Sequence, residues 1–259
     1  MRIKFQNPPI NEVIVGVYFD RPMMVRSEHV GVFWNSVRKE FPRIVQQPEL
    51  LVPMSGPEIV FGDGFPPPRH WLIAPDDESL MQIQPNAFLF NWRKRNGKYP
   101  HYESVKQRFD SLLGQYCRFM ESEFEIAAPK IRVTELTYNN VIEPGEIWSG
   151  PADTGNVVPG FAVPSLPLEN AEGGGFNFVS AHRMSNDSTL QFALKTGSSV
   201  ADPKKPVLVL EFRTLGNHPS IPISDTLAWF NTAHDTIGDC FLKVTNPEIQ
   251  KTYWMALDV

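Results

Sequence analysis

The chain has 259 residues, 42% hydrophobic and 20% charged, enough apolar material for one large core or two small ones. Its formal charge of −5 argues against a generally basic, nucleic-acid-coating protein and restricts any such contact to a local basic patch. No apolar run approaches the ~18 residues of a membrane helix, and Met1 to Pro8 lack a signal peptide's apolar stretch.

A cytoplasmic location is therefore expected. Cys117 and Cys240, both at apolar helical positions, should be buried thiols rather than a disulfide. The 24 prolines cluster in connections such as Pro66 to Pro68 and Pro203 to Pro206. With 12% aromatic residues, that reads as stiff loops rather than disorder.

Along the chain, Val13, Val15, Val17 and Phe19 alternate with Ile14, Gly16 and Tyr18, a strand apolar on both faces. A helix follows, with Ser27 as N-cap and Val30, Phe33, Trp34, Val37 and Phe41 on one face, stopped by Pro42. The proline-rich stretch 43–68 has room only for short strands, one around Glu58 to Phe61. Trp71 to Ile73, Ser79 to Gln84 and Ala87 to Trp92, separated by Pro-Asp-Asp and Pro-Asn turns, form a meander.

Pro100 then sits where a first helical turn tolerates it. Val105, Phe109, Leu112, Leu113, Tyr116, Phe119 and Met120 recur at helical spacing for about six turns. A strand from Ile131 to Tyr138 closes the first half.

Residues 143–175 are Gly- and Pro-rich and read as a linker between an N-terminal lobe, 1–142, and a C-terminal lobe, 176–259. The second lobe restarts with strands at Phe176 to Met184, Thr189 to Thr196 and Val207 to Phe212. A helix from Ser224-Asp225 places Leu227, Phe230, Ile237, Phe241 and Val244 inward. Thr245-Asn246-Pro247-Glu248 caps a last helix running to about Trp254.

The expected fold is α+β: two antiparallel β-meander lobes, each packed against a long amphipathic helix. The helices rhyme at Asp110 to Cys117 and Asp235 to Cys240. A degenerate duplication would explain that, and so would chance agreement between two amphipathic helices.

Chemistry is sparse. His29, His70, His101, His182, His218 and His234 show no metal-ligand spacing, and no HExxH, CxxC, G-x-S-x-G, Walker or G-x-G-x-x-G motif occurs. No cofactor, metal site or catalytic residue is assigned. Gly173 to Gly175 precede a strand, the wrong context for a phosphate cradle. Ser55-Gly56 and Ser198-Ser199 read as turn residues. His234 reads as a core histidine bonded to a carbonyl or a nearby carboxylate rather than a base or ligand, and Glu211 as an edge-strand residue facing solvent.

The candidate working surface is Trp92, Arg93, Lys94, Arg95, Lys98, Tyr99 and His101, cations interleaved with aromatics in a strand-to-helix loop. Such a loop could track phosphates and stack bases, or grip an acidic partner. It could equally be a solvated turn anchored by its aromatics.

The run Asn7 to Phe19, with Gln84 to Arg93 and Tyr99-Pro100-His101-Tyr102, resembles a sporadically distributed bacterial family of uncharacterised proteins of about 250 residues. The resemblance implies a shape and a link to accessory systems such as phage defence or toxin modules. It implies no chemistry. The expected function is a non-enzymatic binding or scaffold protein acting with a protein partner or with itself, without a membrane. One alternative is a small-molecule sensor or enzyme with a cavity lined by Trp71, Phe88, Phe90 or Phe109. Another is nucleic-acid binding through the Arg93 to Lys98 loop.

Overall fold

The computed structural model describes residues 4–51, 53, 68–163, 175–184, 187–199 and 202–257. The first half contains β1 (Lys4–Phe5), β2 (Ile10–Phe19), α1 (Ser27–Val37), β3 (Arg43–Gln47), β4 (Arg69–Ile73), β5 (Ser79–Gln84), β6 (Ala87–Arg93) and α2 (Tyr102–Phe124). The second contains β7 (Ile131–Ile142), a 3-10 turn at Pro151–Asp153 running into the short α3 (Thr154–Val157), then β8 (Asn177–Arg183), β9 (Ser188–Ser198) and β10 (Pro206–Ile221). A second 3-10 turn, Ile223–Thr226, leads into α4 (Leu227–Val244), α5 (Pro247–Thr252) and β11 (Ala256–Leu257).

The fold is α+β, and its two meanders form one sheet. The nine strands run β3-β4-β5-β6-β2-β7-β10-β9-β8, all antiparallel, and β1 pairs separately with β11. The join is β2 on β7, with Val15 opposite Leu136 and Val13 opposite Tyr138. Read outward from that join, each half places its first strand at the centre, its last strand next and its earlier strands beyond. The lobes expected at 1–142 and 176–259 share this sheet, since β7, which that division gives to the first lobe, pairs with β10 of the second as well as with β2. Trp148, Val157 and Val158 of the stretch 143–175 are buried in the main core, and Trp148 Nε1 donates to Thr154 Oγ1 at 3.3 Å.

Strand alternation sends Val13, Val15, Val17, Phe88, Phe90, Leu136, Leu208, Leu210 and Phe212 to the helix-covered face, where they form the main core with the inward faces of the helices. Phe33 meets Tyr116 edge-on at 5.2 Å, Tyr116 stacks on Phe88 at 5.4 Å, and Phe109 meets Phe230 at 5.5 Å. The last contact bolts α2 to α4 across the central join. Of the positions expected inward, Leu112, Tyr116, Phe230, Ile237 and Phe241 are buried, whereas Phe119 is half-buried.

Helix ends differ locally from expectation. Arg26, not Ser27, occupies the N-cap of α1, and its backbone N–H donates to His29 Nδ1. Pro100 precedes α2 by two residues, and His101 is the cap. Asn246 caps α5 as expected, its side chain accepting from the Glu248 N–H, with Pro247 in the first turn. The strand expected at Glu58 to Phe61, the Ser55-Gly56 turn and Gly173 to Gly174 lie outside the described residues.

The opposite face of the sheet is largely polar. Asn139 of β7 and Asn91 of β6 both donate to Glu12 of β2; Gln82 of β5 donates to Asn91, and Arg69 and Trp71 of β4 donate to Gln82. Glu211 sits on this face within β10, an interior strand, and pairs with Lys195 at 3.0 Å. The expected edge position is corrected: a carboxylate tolerates an interior strand here because a neighbouring strand supplies its cation.

Candidate functional site

The loop singled out from the sequence divides in two. Trp92 is buried and Tyr99 half-buried, their rings 5.3 Å apart, so the aromatics anchor the loop to the core. Two of its cations turn toward the β4–β5 hairpin. Asp77, in left-handed backbone geometry with φ 61°, receives Arg43, Arg93 and Arg95, each at 2.7 Å. Glu78 Oε1 accepts from the Asn96 and Gly97 amides. Burial pushes the Asp77 carboxyl upward, but the hydrogen bond from Arg95 and the charges of Arg93, Arg95 and Arg43 outweigh it and hold the group below its usual range. Lys94 and Lys98 are exposed.

The cavity expected around Trp71, Phe88, Phe90 and Phe109 is a solid core. Phe88, Phe90 and Phe109 are buried among other side chains, and half-buried Trp71 lies under the Arg69 guanidinium at 5.3 Å from its ring centroid. The reason is tight helix-on-sheet packing: Phe88 is flanked by Phe109 and Tyr116.

A cleft of about 650 Å³ lies elsewhere, where the N-terminal lead-in, the start of α2 and the middle of α4 converge over β7. It sits at the seam between the two halves. The floor is aromatic: Tyr138 of β7, Tyr99 and Tyr102 at the entry to α2, and Phe241 of α4. The Tyr99 and Tyr138 hydroxyls are 3.0 Å apart. Tyr102 lies flat against His234 with ring centroids 4.0 Å apart and donates its hydroxyl to Asn231 Oδ1 at 3.2 Å. Phe5, held by the β1–β11 pairing, packs edge-on against Phe241 at 5.7 Å and closes the far wall.

The rim is charged. Glu103 in the first turn of α2, Asp235 and Asp239 of α4 and Lys4 of the lead-in all line it. Burial pushes the Tyr99, Tyr102 and Tyr138 phenols well above their ordinary range, so all three stay protonated and offer hydroxyls and ring faces rather than charge. Among the described residues no group of three His, Cys, Asp or Glu side chains could hold a metal ion.

Two backbone features mark this place. His101, on the rim, has φ 66° and ψ 155°, a region disfavoured for any residue with a Cβ and one that persists only where its surroundings fix it. Gly238 lines the cleft in the middle of α4, and a Cβ there would meet nothing within 4 Å. A mid-helix glycine costs roughly 1 kcal/mol relative to alanine. No close packing requires this one, and a side chain added there would extend into open space.

Of the sequence-predicted residues, Tyr99 and His101 line the cleft, whereas Trp92, Arg93, Lys94, Arg95 and Lys98 do not. His234, read as a core histidine, is half-buried with Nδ1 3.6 Å from Asp235 Oδ1, one of the carboxylates expected beside it, and it also forms part of the cleft wall. In the sequence Tyr102 ends the same loop and Asp235 and Asp239 stand beside His234, whereas Glu103, Tyr138 and Gly238 were not singled out. One signal was present: two aspartates at i and i+4 flanking a glycine, next to a histidine at an apolar helical position.

The chain matches no protein-family model, no curated protein and no solved structure. The described helices include none long and apolar enough to cross a membrane.

Proposed function

We propose that this protein is a small-molecule-binding protein whose ligand occupies the cleft between the lead-in, α2 and α4. The observation that carries this reading is the cleft itself: about 650 Å³, within the range of small-ligand pockets, with a buried tyrosine floor and a polar rim at the seam of the two halves. The strained backbone of His101 and the open helical glycine at 238 support it, since both are local costs that a functional cavity would explain.

The seam also supplies a way to signal occupancy. A ligand there touches α2 from one half and α4 from the other, so binding would favour one relative setting of the two helices. This favours a sensor over a scaffold. The nucleic-acid expectation relied on the Arg93 to Lys98 cations, and Asp77 already holds two of them.

A thermal-shift screen of the full chain against nucleotides and common metabolites tests the reading. Supporting compounds raise Tm and move the backbone amide signals of Glu103, Asp235 and Gly238. Compounds that bind only elsewhere on the molecule would refute it.

A further inference from the structure

The geometry points to an interface: we propose that the outer edge of β8 pairs with the same edge of a second copy of this chain. The two strands run antiparallel about a two-fold axis at Ser180 and join the sheets of both copies. This surface is separate from the cleft and does not depend on the ligand reading.

Among the described residues, the nine-stranded sheet ends at β3 on one side and at β8 on the other. The two edges differ in what they invite. β3 has five residues, starts at Arg43 and lies between Pro42 and Pro48, so it is short and flanked by residues that block strand addition. β8 has seven residues and no proline, and its one formal charge at neutral pH, Arg183, comes at the last position. Phe178 is 42% exposed and Val179 60%, so apolar side chains stand open on both faces of the strand. Natural sheets protect such edges or pair them.

Backbone geometry sets which groups are free to pair. The Met184 N–H donates to Ser188, and the Phe176 carbonyl accepts from Thr196, so the even-numbered residues between them turn their amides toward β9. Asn177, Val179, Ala181 and Arg183 therefore turn their N–H and C=O groups outward. A copy related by a two-fold axis at Ser180 sets Val179 opposite Ala181 and Asn177 opposite Arg183. Both members of each pair then point their backbone groups at each other and exchange two hydrogen bonds. The whole strand is used, and every outward group finds a partner.

Side chains fit the same register. Arg183 meets Asn177 of the copy rather than a like charge, and it already has Asp187 at 3.2 Å on its own chain. Parallel self-pairing in register would instead set Arg183 against Arg183, a destabilising contact. Phe178 meets the copy's His182 on one face and Val179 meets its Ala181 on the other. Phe178 also ends an aromatic row running Phe241, Phe212, Phe192, Phe178, with successive centroids 5.8, 5.1 and 6.4 Å apart. That row stops open at the edge, and the second copy closes it. The helices leave room, since α2 packs on β2 and β6 and α4 on β7 and β10, well inside β8. A foreign strand would need a matching pattern of its own, whereas this edge already matches itself.

A single strand pair is a small interface, so the dimer should be weak, with a Kd on the order of 10–100 µM. Sedimentation of the full chain at rising concentration, to well above that range, should show the mass climbing from 29.4 kDa toward twice that value. Val179→Pro removes an outward N–H and no bond to β9, so it should keep its Tm and weaken association at least about tenfold. Ser180→Cys places a thiol on the axis, where facing Cα atoms of a non-hydrogen-bonded pair lie about 4.5 Å apart, within disulfide reach. Under mild oxidation it should cross-link at least about tenfold faster than wild type or Asn177→Cys, whose new thiols lie at opposite ends of the ladder.

A wild-type chain that stays monomeric at the highest concentration overturns the proposal. So does a Val179→Pro protein that folds normally and dimerises as wild type does. If Val179→Pro loses stability, the cross-link decides, and Ser180→Cys reacting no faster than Asn177→Cys overturns it.

Discussion

Tyr102 and His234 stack face to face, ring centroids 4.0 Å apart and planes within 13° of parallel. One belongs to the first turn of α2 and the other to the middle of α4, so this pair joins Phe109–Phe230 in tying the two helices together, here beside the cleft. Tyr102 is buried, and its hydroxyl also reaches Asn231, giving it both a packing and a polar role.

These roles separate by mutation. Tyr102→Phe keeps the stack and should cost about 1 kcal/mol, the net worth of one hydrogen bond. Tyr102→Ala should cost about 3–4 kcal/mol through the cavity it leaves. A double-mutant cycle with His234→Ala, read by chemical denaturation, should give a coupling of roughly 0.5–1.5 kcal/mol. A coupling near zero would mean that the stack is incidental.

Asp77 gives a prediction with a defined pH dependence. Its carboxyl is held below the ordinary range by three arginines, so its contribution to stability is present above the unfolded carboxylate pKa near 4 and disappears as acid protonates the folded form. Its side chain is 34% exposed, so water screens the cluster. Asp77→Asn should therefore cost about 1–2 kcal/mol at pH 7, and the gap to wild type should close below about pH 4. Denaturation curves at pH 7 and pH 3.5 check this; a gap that widens in acid would contradict it.

His101 should be more stable as glycine. Its backbone, at φ 66° and ψ 155°, suits a residue without a Cβ. Relief of that strain should make His101→Gly about 1 kcal/mol more stable than wild type, less what glycine costs the unfolded chain. His101→Ala, which keeps the Cβ, should show no such gain. Urea unfolding midpoints of the two variants make the comparison.

Much of this architecture was legible in the sequence, where local rules govern. Alternation in Val13 to Phe19, the Pro-Asp-Asp and Pro-Asn turns between β4, β5 and β6, and the apolar spacing of α2 and α4 each follow from neighbours a few residues apart. The Asn246-Pro247 cap was readable for the same reason. What depended on distant pairing was not. The β2–β7 join sets Val15 against Leu136, 121 positions later, and no local pattern announces it. Glu211 looked like an edge residue because only β9, the strand just before its own, is a local neighbour; β7 on the other side comes from far earlier in the chain.

The candidate site was half visible. Tyr99 and His101 belong to it, but the loop's cations turn toward a hairpin acid nearly twenty residues earlier, which charge content alone cannot foretell. The cleft needs Phe5 and Lys4 brought beside Phe241 by the β1–β11 pairing of the two ends of the chain. Gly238 was the overlooked local clue, a helix-weakening residue in the middle of a well-formed helix.

Gly238 also offers the most direct test of the central claim that the cleft is a ligand site. Gly238→Ala should stabilise the chain by roughly 0.5–1 kcal/mol, because the helix gains and the added methyl meets open space. Gly238→Phe should fold as well as wild type while its ring fills the cleft. The decisive measurement is the affinity of the compound from the thermal-shift screen that binds wild type best, for wild type and Gly238→Phe, followed by the amide signals of Glu103 and Asp235. The account predicts that the filled variant loses binding by at least about tenfold with its Tm unchanged or raised. A Gly238→Phe protein that folds normally and binds as tightly as wild type would contradict it.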